Sequence, residues 1–358
     1  MRSAVRRIRL CLFPLLVLAI TLAAGGCQPR RVVDHEQWAP EERIILQFSH
    51  VVAEHTPKGL AARRFADLVY ERTGGRVEVQ VFPNGSLVGD GEAEIRALRE
   101  GRVDIIAPST AKLAELFPEW QVFDLPYVFA DHEDVVRAME GPVGERLFQV
   151  LRRRGLMGLT MWDNGFKHMT SARGPLIHPE DFAGQRFRVQ PSRVLVEQFR
   201  LLGATGIPIG FDETYRALET GQVDGQENTP SNIYSKKFHE VQRYMTLSHH
   251  GYLGYVVIVD ADRWQNLDPE VQEALLWALE ESTRWIRENA ERLNAEDLER
   301  IRASGRVEIH EQTPEERAAW VEALRPVFDS FLATLSDDQL ILALEELKRA
   351  GSSAPEDP

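Results

Sequence analysis

A nine-residue segment occurs twice, 120 positions apart, and this internal repeat limits the folds open to the chain. Arg96-Ala97-Leu98-Arg99-Glu100-Gly101-Arg102-Val103-Asp104 returns as Arg216-Ala217-Leu218-Glu219-Thr220-Gly221-Gln222-Val223-Asp224, with six of nine positions identical. Each copy reads as the end of a helix, a Gly in the left-handed cap position and a strand opening at Val-Asp. The order upstream matches too: a helix (Gly59 to Glu71; Ser192 to Leu202), a strand (Val77 to Phe82; Thr205 to Ile209), then a Gly-containing loop. Alternating helices and strands, duplicated, predict an α/β fold of two similar lobes around a central cleft, with largely parallel sheets covered on both faces.

The flanking segments extend this plan. Ile44 to Phe48 and Val77 to Val81 have the composition or alternation of strands, and Lys58 to Arg72 carries Leu60, Phe65, Leu68 and Val69 at helical spacing. After Asp260 the pattern turns helical. Pro269 to Ser304 is long for a globular helix, with Leu275, Leu276, Leu279, Trp285 and Ile286 on one side, and is expected to cross both lobes. Arg306 to His310 reads as a last strand, followed by helices over Pro314 to Leu335 and Asp337 to Arg349. The lobes are expected at 43–165 with 252–295 and at 166–251 with 296–349, joined by hinge strands, with a disordered tail at 350–358.

The chain opens with Arg6, Arg7 and Arg9 and an apolar stretch from Leu10 to Ala24, too short for a convincing membrane span. Small residues directly before Cys27 resemble a bacterial lipobox. Residues 1–26 are therefore expected to be a lipoprotein signal peptide, Cys27 the lipidated N-terminus and 27–42 a tether. Cys11 and Cys27 are the only cysteines, so the mature chain has no disulfide and depends on its core. The formal net charge is -13, and about -17 once the four arginines of the leader are gone. That balance excludes nucleic-acid binding, which needs clustered Lys and Arg. A negative chain that binds an anion must place isolated basic residues with care.

In open α/β sheets ligands lie at the carboxyl ends of the strands, so strand-end loops are where such residues should sit. Arg188, between Phe187 and Val189 and before Pro191, falls at a strand terminus, where a planar guanidinium can grip a carboxylate at two points. Asn228 closes the second repeat with an amide that both donates and accepts. Six segments, FSHVVAEHTPKG (48–59), LFPEWQVFDLPYVF (116–129), WDNGFKHMTS (162–171), GQRFRVQPS (184–192), GFDETYRALETGQVDGQEN (210–228) and HHGYLGYVV (249–257), carry a resemblance. In that order the chain resembles the substrate-binding protein of tripartite ATP-independent periplasmic (TRAP) transporters, in particular the C4-dicarboxylate-binding type. The resemblance implies that Arg188 clamps a substrate carboxylate, that Asn228 contacts the ligand and that Phe211 lines it. It favours Lys58 for the distal end of a dicarboxylate, and sets Asn164 and Lys167 in the motif that crosses between lobes. Ser109 and Thr110, after the first Val-Asp strand, are candidate donors. His250, ahead of Gly251 and Gly254, is a candidate cleft residue.

The expected activity is capture of a small carboxylate, most plainly malate, succinate or fumarate, by lobe closure about Trp162 to Phe166 and Gly251 to Val256. The resemblance implies two membrane subunits as partners and no cofactor or metal. A sugar acid or keto acid is the alternative solute. A lipid-anchored hydrolase is the alternative of another class, but the chain has no Gly-x-Ser-x-Gly, His-Glu-x-x-His or phosphate loop. A structural lipoprotein would need neither a cleft nor isolated cations.

Overall fold

Two aspartates show how the repeated segment folds. Asp104 donates its N–H to the Gln47 carbonyl (2.9 Å) and accepts the Gln47 N–H on its carboxylate (2.8 Å). Asp224 does the same with Arg186, at 2.7 and 2.8 Å. Gly101 and Gly221, with φ of +72° and +68°, end the preceding helices in the left-handed region that favours glycine.

The computed structural model describes residues 38–352 apart from 40, 41, 90 and 91. Among them, nine strands form one sheet: β1 (Ile44–Ser49), β2 (Val77–Phe82), β3 (Ile105–Ile106), β4 (Leu156–Ser171), β5 (Arg186–Val189), β6 (Thr205–Pro208), β7 (Gly225–Asn228), β8 (Tyr244–Asp260) and β9 (Glu308–Glu311). The order is β2-β1-β3-β8-β4-β7-β5-β6, with β9 on β8. β1 pairs in parallel with β2 and β3, and β5 with β6 and β7, giving one matching trio to each lobe. Between the trios, β4 and β8, of 16 and 17 residues, pair antiparallel and run from one lobe into the other. The contacts β3–β8 and β4–β7 are antiparallel as well, so the sheet is mixed and not largely parallel. The repeats lie on either side of a shared ribbon that belongs to neither copy.

Both faces of the sheet are covered by helices: α1 (Pro57–Arg72), α2 (Glu92–Glu100), α3 (Thr110–Leu113), α4 (His132–Glu140), α5 (Pro142–Arg152), α6 (Arg193–Leu201), α7 (Thr214–Glu219), α8 (Pro230–Ser235), α9 (Ala261–Gln265), α10 (Pro269–Ala303), α11 (Pro314–Leu332) and α12 (Asp338–Ser352). Strand alternation divides the apolar residues between two layers. Ile105, Val257 and Val259 join Phe65 of α1 and Leu275 of α10, whereas Ile106, Val256 and Ile258 join Leu147 of α5 and Trp320 of α11. Helix α10 packs on α1, β4 and α8 and so lies across both lobes. Its buried stripe includes Val271, Leu275, Leu279 and Ile286; Leu276 lies about 100° round from Leu275 and is 46% exposed, contrary to the sequence pattern. Helix α12 continues to Ser352, past the expected start of the tail at 350. The expected leader, Cys27, most of the tether and residues 353–358 of the tail lie outside the described residues.

The middle of the β4–β8 ribbon is irregular. Its register shifts between Gly158 and Thr160, between Asp163 and Gly165, and between Lys167 and Met169. Helix α10 grips this stretch: Trp162 Nε1 donates to Thr283 Oγ1 (3.1 Å), and Asn294 Nδ2 donates to the Asn164 carbonyl (2.6 Å). Gly165 has φ +142°, and a Cβ there would meet Asn294 Nδ2 at 3.1 Å. Gly165→Ala is expected to cost about 1–3 kcal/mol through backbone strain, read as a lower denaturation midpoint of the ligand-free chain.

Candidate functional site

The carboxyl ends of both strand trios converge on one small cavity. Val51 and Val52 follow β1, Ser109 follows β3, Gln190 follows β5, Phe211 follows β6, and Asn228 ends β7. Asn232 of α8, and Leu253 and Tyr255 of β8, complete the wall. Each lobe thus supplies part of the lining, as the strand-end argument requires.

Two buried cations approach this wall from opposite lobes, each against an aromatic ring that lines it. Lys58, next to Pro57 at the first turn of α1, donates from Nζ to the Ala107 carbonyl (2.8 Å) and lies 3.7 Å from the centre of the Tyr255 ring. Arg188 of β5 donates from Nε to the Ile209 carbonyl (2.9 Å), with its guanidinium 5.9 Å from the centre of the Phe211 ring. Both residues are 1% exposed, and neither lines the cavity itself; each lies behind the ring that does. Carbonyl oxygens are the negative ends of dipoles and ring faces the negative side of a quadrupole, and both offset part of the cost of burying a cation.

Amides and a phenol tie the wall together. Asn228 Oδ1 accepts from Asn232 Nδ2 (2.8 Å), and Asn232 Nδ2 also reaches the Tyr255 hydroxyl (3.3 Å). Asn164 Nδ2 donates to that hydroxyl and to Thr229 Oγ1, both at 3.0 Å, while its Oδ1 accepts from Ser231 Oγ at 3.0 Å. Asn164 therefore braces Tyr255 from behind and opens onto a separate groove at the ribbon's irregular stretch. Thr110 begins α3 immediately after Ser109; its Oγ1 is buried and has no hydrogen-bond partner among the described residues.

Lys167 and His250 are directed elsewhere. Lys167 Nζ pairs with Glu227 Oε1 at 2.5 Å, His250 Nε2 meets Glu227 Oε2 at 2.7 Å, and neither residue lines the cavity. Burial holds the His250 imidazole below its ordinary pKa, hence neutral, so its Nε2–H donates to the carboxylate and its Nδ1 accepts from Ser248 Oγ (2.7 Å). Burial alone would raise the Glu227 pKa. The Lys167 charge and the His250 hydrogen bond overcome it and hold the carboxylate far below the usual range. Glu227 escaped the sequence reading although it adjoins Asn228: the period-2 alternation of β7 sends the two side chains to opposite faces. Gln190, Asn232 and Tyr255 were also missed. Gln190 had a usable signal, lying two residues after Arg188 at the same strand end.

Asp124, buried near Lys167, has its pKa pushed up to about 7 by burial, which the Lys167 charge and Ser192 only partly counter. An unfolded aspartate titrates near 3.9. A group whose folded pKa is raised contributes stability below its unfolded pKa and loses it as pH rises through the folded value, here from about 4 to 7. Asp124→Asn removes this titration. Its melting temperature relative to the parent chain is expected to rise between pH 5 and pH 8.5, by the equivalent of about 2 kcal/mol, in parallel thermal melts.

Residues 48–334 match the family model described as bacterial extracellular solute-binding protein, family 7. The chain is 46% identical over 318 residues to the C4-dicarboxylate-binding protein DctB of Bacillus subtilis (strain 168), covering 89% of this chain and 90% of that protein. A TRAP periplasmic solute-binding protein from Shewanella oneidensis with bound succinate superposes with a TM-score of 0.81 at 38% identity, covering 86% of this chain and 99% of that one. Another, from Pseudomonas aeruginosa PAO1 with bound L-malate, gives 0.78 at 37% identity, covering 80% and 99%. The two-lobed fold, the cavity between strand trios and the family match over most of the chain agree: it belongs to family 7 of the bacterial extracellular solute-binding proteins, the receptors of TRAP transporters.

Proposed function

We propose that this receptor captures a C4-dicarboxylate between its lobes and delivers it to the membrane subunits of a TRAP transporter. The observation that carries the reading is the approach of Lys58 and Arg188 from opposite lobes to one small cavity lined by amides and aromatic rings. A dianion with carboxylates at both ends needs a cation or several donors at each, since a buried charge left uncompensated costs several kcal/mol. Arg188 takes one carboxylate at two points. Lys58 serves the other, and Ser109, Asn228 and Phe211 orient the ligand. Asn164, with Thr110, supports the wall, while Lys167 and His250 act indirectly by fixing Glu227 and, through β7, Asn228. The names of the similar proteins, with a C4-dicarboxylate, succinate and L-malate, support this solute class.

Closure follows from the ribbon. Residues 43–165 with 252–295 and residues 166–251 with 296–335 move as bodies about the irregular middle of β4 and β8, where bulges weaken the ladder, and α12, expected in the second lobe, packs on α4 and α5 of the first and moves with it. Lipidation at Cys27 holds the receptor at the membrane surface, and the tether to residue 42 gives it reach. The support for the anchor is the leader and the small residues before Cys27.

The test is thermal unfolding of the soluble chain from Gln28, stripped of copurified ligand by partial unfolding, against succinate, malate, fumarate, glucuronate and glutamate. A true ligand at a hundred times its dissociation constant adds about 2.7 kcal/mol. Stabilisation by a C4-dicarboxylate that disappears in Arg188→Ala is the expected result. Stabilisation by glucuronate alone would replace the solute class, and stabilisation by none of the panel would sink the reading.

A further inference from the structure

Among the hydrogen bonds that join the lobes, one caps a helix from the other side of the cleft. Helix α6 begins directly after β5 and Pro191, so the strand that carries Arg188 runs into it. A helix start leaves backbone N–H groups without intrahelical acceptors, and a Ser at the N-cap normally answers one of them. Ser192 occupies the N-cap position of α6 but makes no such bond with its side chain. The Val194 N–H instead donates to Gln121 Oε1 at 3.1 Å, and the Ser192 hydroxyl reaches the same oxygen at 3.5 Å.

Gln121 comes from the 3-10 turn Pro118–Asp124 of the first lobe and is buried. Its orientation is fixed from both sides, because Nε2 donates to the Pro118 carbonyl at 3.0 Å while Oε1 receives the Val194 N–H. Gln121 lies in a groove between the lobes, with Ala114, Glu115 and Pro118 on one lip and Pro191, Ser192 and Val196 on the other. A second bond, from Gln190 Nε2 to Ser109 Oγ at 2.9 Å, joins the lobes where both residues line the cavity. Gln121 is not part of that lining.

We infer that Gln121 is a positioning residue: an N-cap supplied across the cleft that exists only while the lobes are closed, holding α6 and the Arg188 strand over the solute. This rests on the receptor reading above. When the lobes part, water or the Ser192 hydroxyl can satisfy the Val194 N–H, so opening exchanges one partner for another and the cap biases closure without locking it. A contact made only in the closed form acts on escape of the solute more than on its arrival. Its loss is a change in dissociation rate and not in ligand-free stability.

The experiment compares the soluble chain with Gln121→Met, which keeps the side-chain volume and removes the acceptor, and with Gln121→Ala in case Met distorts the turn. Stopped-flow binding of succinate and L-malate is read beside ligand-free melting temperatures. The expected result is a dissociation rate raised about 3- to 10-fold, an association rate within about twofold and an unchanged ligand-free melting temperature. Unchanged dissociation, or a ligand-free melting temperature that falls as far as the ligand-bound one, would overturn the inference and leave the receptor reading intact. A parent chain that binds neither acid overturns that reading, and the cross-cleft cap with it.

Discussion

The antiparallel pairing of β4 with β8 is the constraint on which the rest of this structure depends. Sixteen and seventeen residues are unusual lengths for strands, and at about 3.3 Å per residue they reach roughly 50 Å. Each strand therefore serves two sheets' worth of neighbours, with β3 bonded at one end of β8 and β7 at one end of β4. The trios cannot drift apart, because they share a ladder. That ladder is interrupted by register shifts at three points. The ribbon is gripped from one side by Thr283 and Asn294 of α10.

The polar interior follows from that arrangement. Strands that end at the cleft deliver both halves of the cavity wall, and β-alternation decides which side chains reach it. In β7, Asn228 faces the cavity while Glu227 faces back toward Lys167, Gln198 and His250. The chain is strongly negative overall, yet three of its cations are almost fully buried at this place: Lys58, Lys167 and Arg188. Lys167 pairs with the Glu227 carboxylate, while Lys58 and Arg188 lie against backbone carbonyls and the faces of Tyr255 and Phe211, two rings that line the cavity.

Much of this was legible in the chain, for reasons that can be named. The repeat around Gly101 and Gly221 was visible because helix caps and the Val-Asp strand entry demand particular residues, and both aspartates make the same reciprocal bond. Ser109, Phe211 and Asn228, which strand-end loops and recurring motifs mark in the sequence, line the cavity. Lys167 and His250 meet Glu227 and do not line the cavity, because register shifts before Gly165 and after Lys167 change which face each side chain takes, and a bulge has no reliable residue signature. Asn232 carried no signal, and Tyr255 only that of lying in the 249–257 segment, since their part in the wall depends on where α8 and β8 lie relative to the trios.

The sequence by itself determined what is local: the helices and strands, the doubling of the unit, the negative surface, and the basic residues set within apolar or Gly-rich motifs. Hydrogen-bonding periodicity and cap chemistry act over a few residues, and a few residues are enough to reveal them. Tertiary structure alone decided the mixed sheet, the back-facing Lys167–Glu227–His250 cluster and the caps and bonds that cross the cleft. Gln121 and Val194 stand 73 positions apart, and only folding, by bringing their lobes together, makes one the cap of the other.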